Sequence, residues 1–325
     1  MTGSGTEAIS PTAHATSYVW GRNGLSYPEL VTRQGRVMFE VMRPMMTVSS
    51  LLGGPTLESY LLARHRTIDA LLERAIEEEG VTQVVEIACG LSPRGLRFKR
   101  RHGEQLTYIE ADLPGMAARK EAALRRMGAL SETHRVVVLD ALKEQGPNSL
   151  RELAGTLKPD RGLVVITEGL LGYLEMGLVQ GIWGRVAETL AGFRAGRYMA
   201  DIQLSGEADP WVRVFRGVLS MFVRGAVHTH FADQPAAVSA LERAGFKEAA
   251  IRRAMDLAET NGVRETPGAR MAHVVHAGLT ATTHLHVRGF PAKGPVEATV
   301  FGPLNATYRT FAMGGTSLSG GLAGS

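Results

Sequence analysis

The sequence predicts an α/β fold built on a doubly wound, mostly parallel sheet, and three observations carry that expectation. Short β-branched runs alternate with helical stretches from Val84 to Leu204. The first run closes on the small residues Ala88-Cys89-Gly90. Acids then stand at the ends of the next three runs, as Asp112, Asp140 and Glu168.

In chain order, residues 1–20 show no apolar period and are expected as a flexible tail. Val37 to Leu52 is rich in Met and Val but interrupted by Pro44, which predicts two short helical pieces. Leu57 to Glu79 carries Tyr60, Leu61, Ile68, Leu71, Leu72, Ala75 and Ile76 at helical spacing. Thr56 can cap its start, and Gly80 stands where a left-handed terminating residue belongs. The period then changes. Strands are expected at Val84–Ala88, Leu106–Glu110, Val136–Leu139, Leu163–Thr167 and Tyr198–Leu204. Between them fall a helix from Pro114 to about Met127 and helical stretches at Leu150–Leu157 and Val179–Leu190. A lid insertion is expected at about 205–232, where Trp211, Phe215 and Phe222 fit no period. A helix at Pro235–Ala244 and strands near Ala249–Arg253 and His273–Leu279 would complete a domain of residues 21–281. Residues 282–325 shift to Gly, Thr, Ser and Pro and are expected as a poorly ordered tail.

Composition narrows the function classes. With 44% hydrophobic and 21% charged residues the chain is of ordinary globular character. No run approaches the roughly 20 apolar residues of a membrane span. A single cysteine leaves no internal disulfide framework, which fits a cytoplasmic location. The formal charge of +4 is mild, and of the basic runs at Arg97–Arg101 and Arg252–Arg253 only the first holds an aromatic, the single Phe98. Solvated helix faces explain them better than nucleic-acid binding.

The strand ends carry the chemistry. Small residues in the turn Ala88–Arg94 let backbone amides approach a ligand, and the following helix offers its N-terminus. Gly90 alone is equally compatible with a plain tight turn. The turn lacks the G-x-G-x-x-G pattern, which disfavours NAD. Asp112 follows Gly90 by 22 residues, close to the roughly 20 at which a carboxylate grips a ribose diol. Asp140 is placed to accept from an adenine amino group. Each of the three acids is flanked by apolar residues, and carboxylates are seldom buried without partners. His228-Thr229-His230 and His65 are the base candidates. As a metal site the His-x-His pair lacks a third ligand. Cys89 reads as a small buried turn residue rather than a nucleophile.

Several segments together resemble the leucine carboxyl methyltransferase family. They are Ala63-Arg64-His65-Arg66-Thr67-Ile68-Asp69, Gln83-Val84-Val85-Glu86, Cys89 through Arg94, Tyr108 through Pro114, Lys120, and Glu168-Gly169-Leu170-Leu171-Gly172-Tyr173-Leu174. That family includes bacterial O-methyltransferases of polyketide and other secondary metabolism. The resemblance implies a Rossmann-like, class I methyltransferase fold with N-terminal helices and S-adenosyl-L-methionine as cofactor. It further implies that Arg64 pairs with the cofactor's methionine carboxylate and that Ala88 and Gly90 line the turn beneath it. Asp112 would hold the ribose, Asp140 with Ala141 the adenine, and Glu168 would face the amino group. Tyr173 would face the methyl group or the acceptor. Many members read G-x-G-x-D-T-R where this chain reads Ala88-Cys89-Gly90-Leu91-Ser92-Pro93-Arg94. Ala88 is a small change if its φ is negative, whereas loss of the acid at Ser92 could alter substrate orientation. The expected activity is methylation of a carboxylate on a small-molecule acceptor, which needs no protein base, with His230 the candidate if a phenol or hydroxyl is the acceptor. Protein carboxyl methylation and non-catalytic cofactor binding are the remaining readings.

Overall fold

The computed structural model of the chain describes residues 10–205 and 228–279. Seven strands form one sheet: β1 (Val81–Ile87), β2 (Thr107–Asp112), β3 (His134–Val138), β4 (Gly162–Thr167), β5 (Ala195–Ile202), β6 (Glu248–Arg253) and β7 (His273–Gly278). Their order is β3-β2-β1-β4-β5-β7-β6. The first five run parallel, and β7 enters antiparallel between β5 and β6. The expected strands thus all exist, with ends shifted by a few residues.

Both faces of the sheet are covered, which is why its strands read as continuous apolar runs. In β4, Leu163 and Val165 pack into one core while Val164 and Ile166 pack into the other, and all four are buried. Val179, Ile182, Trp183 and Val186 of α7 (Met176–Leu190) fill the first core. Ile68, Leu71, Leu72 and Ala75 of α3 (Leu57–Glu77) fill the second. Thr56 caps α3 through a reciprocal bond with Ser59, and Gly80 has φ 68°, as the sequence implied. The remaining helices of the sheet region are α4 (Arg94–His102), α5 (Pro114–Arg126), α6 (Leu150–Ala154), α8 (Gln234–Arg243) and α9 (Pro267–Met271).

The N-terminal region departs from expectation twice. Residues 10–20 are not a tail: Ser10–Arg22 is a helix, α1, with Ala15, Val19 and Trp20 buried. Its apolar period is weak because small polar residues are buried around it as well. Thr16 and Ser17 turn their hydroxyls back onto the carbonyls of Thr12 and His14, at 2.9 and 2.8 Å. The second departure is at Pro44, which lies inside a continuous helix α2 (Arg33–Leu51) rather than between two pieces. Pro44 is exposed, so water can serve the carbonyl that its missing N–H leaves behind. Helices α1 and α2 cross closely at Gly35, where an added Cβ would sit 1.9 Å from the His14 carbonyl oxygen. Val19, Phe39, Met42 and Met46 join Leu57, Tyr60 and Leu61 of α3 in a third core. Most of the expected lid, with Trp211, Phe215 and Phe222, lies outside the described residues, as do residues 1–9 and the tail at 282–325.

Candidate active site

Strand order reverses direction between β1 and β4, and ligands of such sheets bind outside the carboxyl ends there. A cavity of about 630 Å³ opens at that place. It is lined by the residues that follow β1, β2, β3 and β4, by Asp201 and Gln203 at the end of β5, and by side chains of α1, α2 and α3. Arg64, Ala88, Gly90, Asp112, Asp140, Ala141, Glu168 and Tyr173 all line it. His230 does not line it among the described residues; its Nε2 lies 2.6 Å from the Leu174 carbonyl, and burial lowers its pKa. His228 stacks on His230, ring centroids 5.9 Å apart.

The turn after β1 is held from below. Asp112 accepts from the Gly90 amide at 2.7 Å and the Leu113 amide at 2.8 Å, one to each carboxylate oxygen. Burial raises the Asp112 pKa against those two bonds. Gly90 has φ 52°, and Ala88 has φ 53°. The condition under which Ala88 would be a small change, a negative φ, is therefore not met: a methyl group is carried in the left-handed region, at a cost of about 1–2 kcal/mol. Asp140 closes its own loop, accepting from the Leu142 amide at 2.9 Å. The Cys89 thiol is buried and its pKa is pushed up by that burial, so it is no nucleophile at neutral pH.

Beneath the cavity lies a buried ion network. Arg64 donates from Nε to Glu168 at 2.9 Å and from Nη1 to Asp201 at 3.1 Å. Burial alone would lower the Arg64 pKa, but the carboxylates of Asp201 and Glu168 outweigh it and hold the guanidinium charged. Arg94, fully buried, reaches Asp69 at 2.8 Å, Glu86 at 2.6 Å and Glu168 at 2.5 Å. Arg97 adds a 2.7 Å pair with Asp69, and Tyr108 donates to Glu86 at 2.7 Å. Glu168 pays its desolvation back through Arg94, His65 and Arg64, which hold its pKa well below the usual carboxylate range. His65 is fully buried within the same network, its pKa lowered by burial and Arg94 against Asp69 and Glu168, so it is no surface base. A second buried group, Glu110 with Lys120 at 2.5 Å and His134 at 2.8 Å, supports the far side of the turn.

Some lining residues escaped the sequence reading. Asp201 bonds the Gly169 amide at 2.6 Å as well as Arg64, tying β5 to the end of β4. Its signal was present, an acid at a fifth strand end. Thr12, Ala13, Thr16 and Trp20 of α1, and Met38 and Met42 of α2, had no such signal.

Residues 29–186 match the family model described as leucine carboxyl methyltransferase. Over those residues, just under half of the chain, it is similar to that family. Two mycobacterial relatives bear the name putative S-adenosyl-L-methionine-dependent methyltransferase. That of Mycobacterium leprae (strain TN) is 32% identical over 114 residues, which cover 35% of this chain and 36% of the relative. That of Mycobacterium marinum (strain ATCC BAA-535 / M) is 37% identical over 95 residues, 29% of this chain and 28% of the relative. The chain thus spans about a third of the length of the curated relatives that it matches. A solved structure described as a putative methyltransferase from Thermobifida fusca YX superposes with TM-score 0.59 at 12% identity, covering 84% of this chain and 96% of that one. This likeness establishes the fold, that of the class I methyltransferases. Ser92 is buried beneath the turn and does not line the cavity. Its hydroxyl accepts from the Arg94 amide at 3.2 Å and its carbonyl from Lys120.

Proposed function

We propose that this chain is a leucine carboxyl methyltransferase family member that binds S-adenosyl-L-methionine and methylates a carboxylate of a small-molecule acceptor of polyketide or other secondary metabolism. The observation that carries the reading is the convergence of Arg64, Asp112, Asp140, Glu168 and Tyr173 on one cavity at the strand ends. The residues present suit the cofactor. Arg64 spends only part of its five-donor fork on Glu168 and Asp201, so it can also meet a carboxylate. Each Asp112 oxygen holds one amide and retains a lone pair for a hydroxyl of the ribose diol. Leu113, Met116, Leu139 and Leu142 offer apolar walls beside Asp140, as an adenine ring would need. Glu168 and Asp201 bring negative charge to the side where the amino group would lie.

When bound, the cofactor supplies an electrophilic methyl group on a sulfonium sulfur. Displacement at that carbon is in line, so the protein's task is alignment and exclusion of water. Trp20, Met38, Met42, Leu57 and Leu61 supply the apolar wall opposite the strand ends. Tyr173 sits at the mouth with its pKa raised by burial, which keeps it protonated and makes it a hydrogen-bond donor rather than a base at neutral pH. A carboxylate acceptor is already ionised there and requires no base. The commitment of His230 to the Leu174 carbonyl favours that acceptor over a phenol. The turn Ala88–Arg94 has Ser92 where the family pattern carries an acid, and that departure supports a small acceptor over a protein.

Calorimetry with S-adenosylhomocysteine tests the cofactor site. Asp112→Ala is expected to weaken affinity by about 2–3 kcal/mol, since charge-assisted bonds are removed. Unchanged affinity in a folded variant would take Asp112 out of the site. Transfer of labelled methyl to a panel of carboxylic acids and phenols tests the acceptor. With a carboxylate, His230→Ala should keep the rate within about tenfold and the profile should stay flat through neutrality. A loss of a hundredfold or more with an acid limb near pH 6.5 would assign a phenol and a histidine base instead.

A further inference from the structure

Helix α2 has two apolar faces. One, with Met42 and Met46, is buried against α1 and α3, and Met38 and Met42 reach the cavity. The other faces outward. Val37, Val41, Val48, Leu51 and Leu52 are all more than half exposed, Leu51 as much as 81%, with Met45 beside them and Pro44 also at the surface. Side chains this exposed lie along one stripe of the helix, and the largest apolar patch of a monomer is on the order of 300–600 Å². A stable pair buries about 800 Å² on each partner, so a stripe of that order reaches it only together with its rim.

The spacing says what kind of surface fits. Residues 37, 41, 44, 48 and 51 advance by four, three, four and three, the 3.5-residue repeat of a seam between two helices. Charge supplies the direction. Arg33 and Arg36 stand at the N-terminal end of α2, whereas residues 47–54 carry no charge. A parallel partner would set those arginines against their own copies. An antiparallel one sets them against the uncharged end and opposes the helix dipoles.

We propose that α2 pairs antiparallel with α2 of a second copy of this chain, forming a two-fold dimer along the seam Val37–Leu51. The pairing lies outside the cavity and is independent of the chemistry proposed above. It backs the cavity wall, because the helix that carries the seam also carries Met38 and Met42.

Sedimentation equilibrium of the full chain from about 1 to 100 µM gives the test. The wild type is expected as a dimer, and Val41→Glu/Val48→Glu as a monomer whose dissociation constant is raised at least a hundredfold. Both residues are exposed, so circular dichroism and melting temperature of the dissociated variant should match those of a folded chain. Direction is read by oxidative cross-linking, since Cys89 is buried and does not interfere. Met45→Cys, near the two-fold axis, should cross-link to its own copy, whereas Val37→Cys should not. A monomeric wild type at 100 µM, or a dimer that survives the double substitution, would overturn the proposal. A monomer that binds phosphatidylglycerol vesicles through these residues would assign the face to a membrane instead. A monomer whose melting temperature falls sharply on the double substitution would assign it to another segment of the same chain. Cross-linking through Val37→Cys would overturn the antiparallel direction.

Discussion

Ala88 shows how a single side chain stores strain at the centre of a site. Its φ of 53° places a β-carbon where only glycine is comfortable, one residue beyond the end of β1 and on the cavity wall. Ala88→Gly should therefore raise stability by about 1 kcal/mol, or a melting temperature gain of about 2–4 °C. A thermal melt of the variant checks it, and a lower melting temperature would mean that the methyl group's packing outweighs the strain. The residues that organise the site divide by visibility. Asp112, Asp140 and Glu168 were legible because an acid after an apolar run has no structural reason to be there. Asp201 belongs to the same class and was overlooked because no motif pointed to it. What no local reading could supply is the sharing of ligands: Glu168 serves Arg64, His65 and Arg94 at once, across more than seventy residues of chain.

Among the elements, α1 is the clearest case of a helix without a sequence signature. A helix buried around most of its circumference has no polar face, and one buried with small residues has no strong apolar face either. Its position depends on Gly35, which lets the α2 backbone meet the His14 carbonyl. Gly35→Ala would ordinarily stabilise a helix by close to 1 kcal/mol. Here the sign should reverse, with a loss of about 1–3 kcal/mol, because the added carbon cannot be placed without separating α1 from α2. S-adenosylhomocysteine affinity should fall in parallel, since Thr12, Ala13, Thr16 and Trp20 of α1 line the cavity. A stable variant in denaturant titration, with affinity retained, would show that α1 does not depend on this crossing. Pro44 teaches the opposite lesson about helix α2. Proline is a break signal only when its missing hydrogen bond must be replaced by protein, and at an exposed position water replaces it.

For the whole molecule, buried ionisable groups set the pH range of stability. Burial lowers the His273 pKa to about 4, opposed by a bond to the Met271 carbonyl and assisted by Arg253. The unfolded chain takes up this proton near pH 6.5, before the folded one does. The associated stability is fully present above pH 6.5 and is lost as pH falls toward 4, on the order of 3 kcal/mol. Asp69 and Glu168 act at lower pH. Burial would raise both, but His65, Arg97 and Arg94 outweigh it at Asp69, and Arg94, His65 and Arg64 at Glu168. Their folded pKa values are depressed, so their contribution is present above about pH 4.5 and is lost as pH falls below it. Denaturant unfolding at pH 7, 5.5 and 4.5 should show declining stability, and His273→Asn should flatten the upper part of that decline. An unchanged slope would remove His273 from the account.

The sequence by itself determined the alternation of strands and helices, the buried parallel strands, the turn at Gly90 and the acids that follow the strands. All of these are local: period, small residues and polar interruptions are properties of a dozen neighbouring positions. Tertiary structure decided the rest. It inserted β7 antiparallel between β5 and β6, ran α2 through Pro44 and laid α1 over the turn at Gly90, whose added Cβ would meet Ala13 at 3.2 Å. It also turned His65 inward to the arginines and withdrew His230 from the cavity to the Leu174 carbonyl. The physical reason is the same in each case. Burial, and the partners that burial requires, depend on residues far apart in the chain, and a polar side chain's role follows from which of those partners it meets.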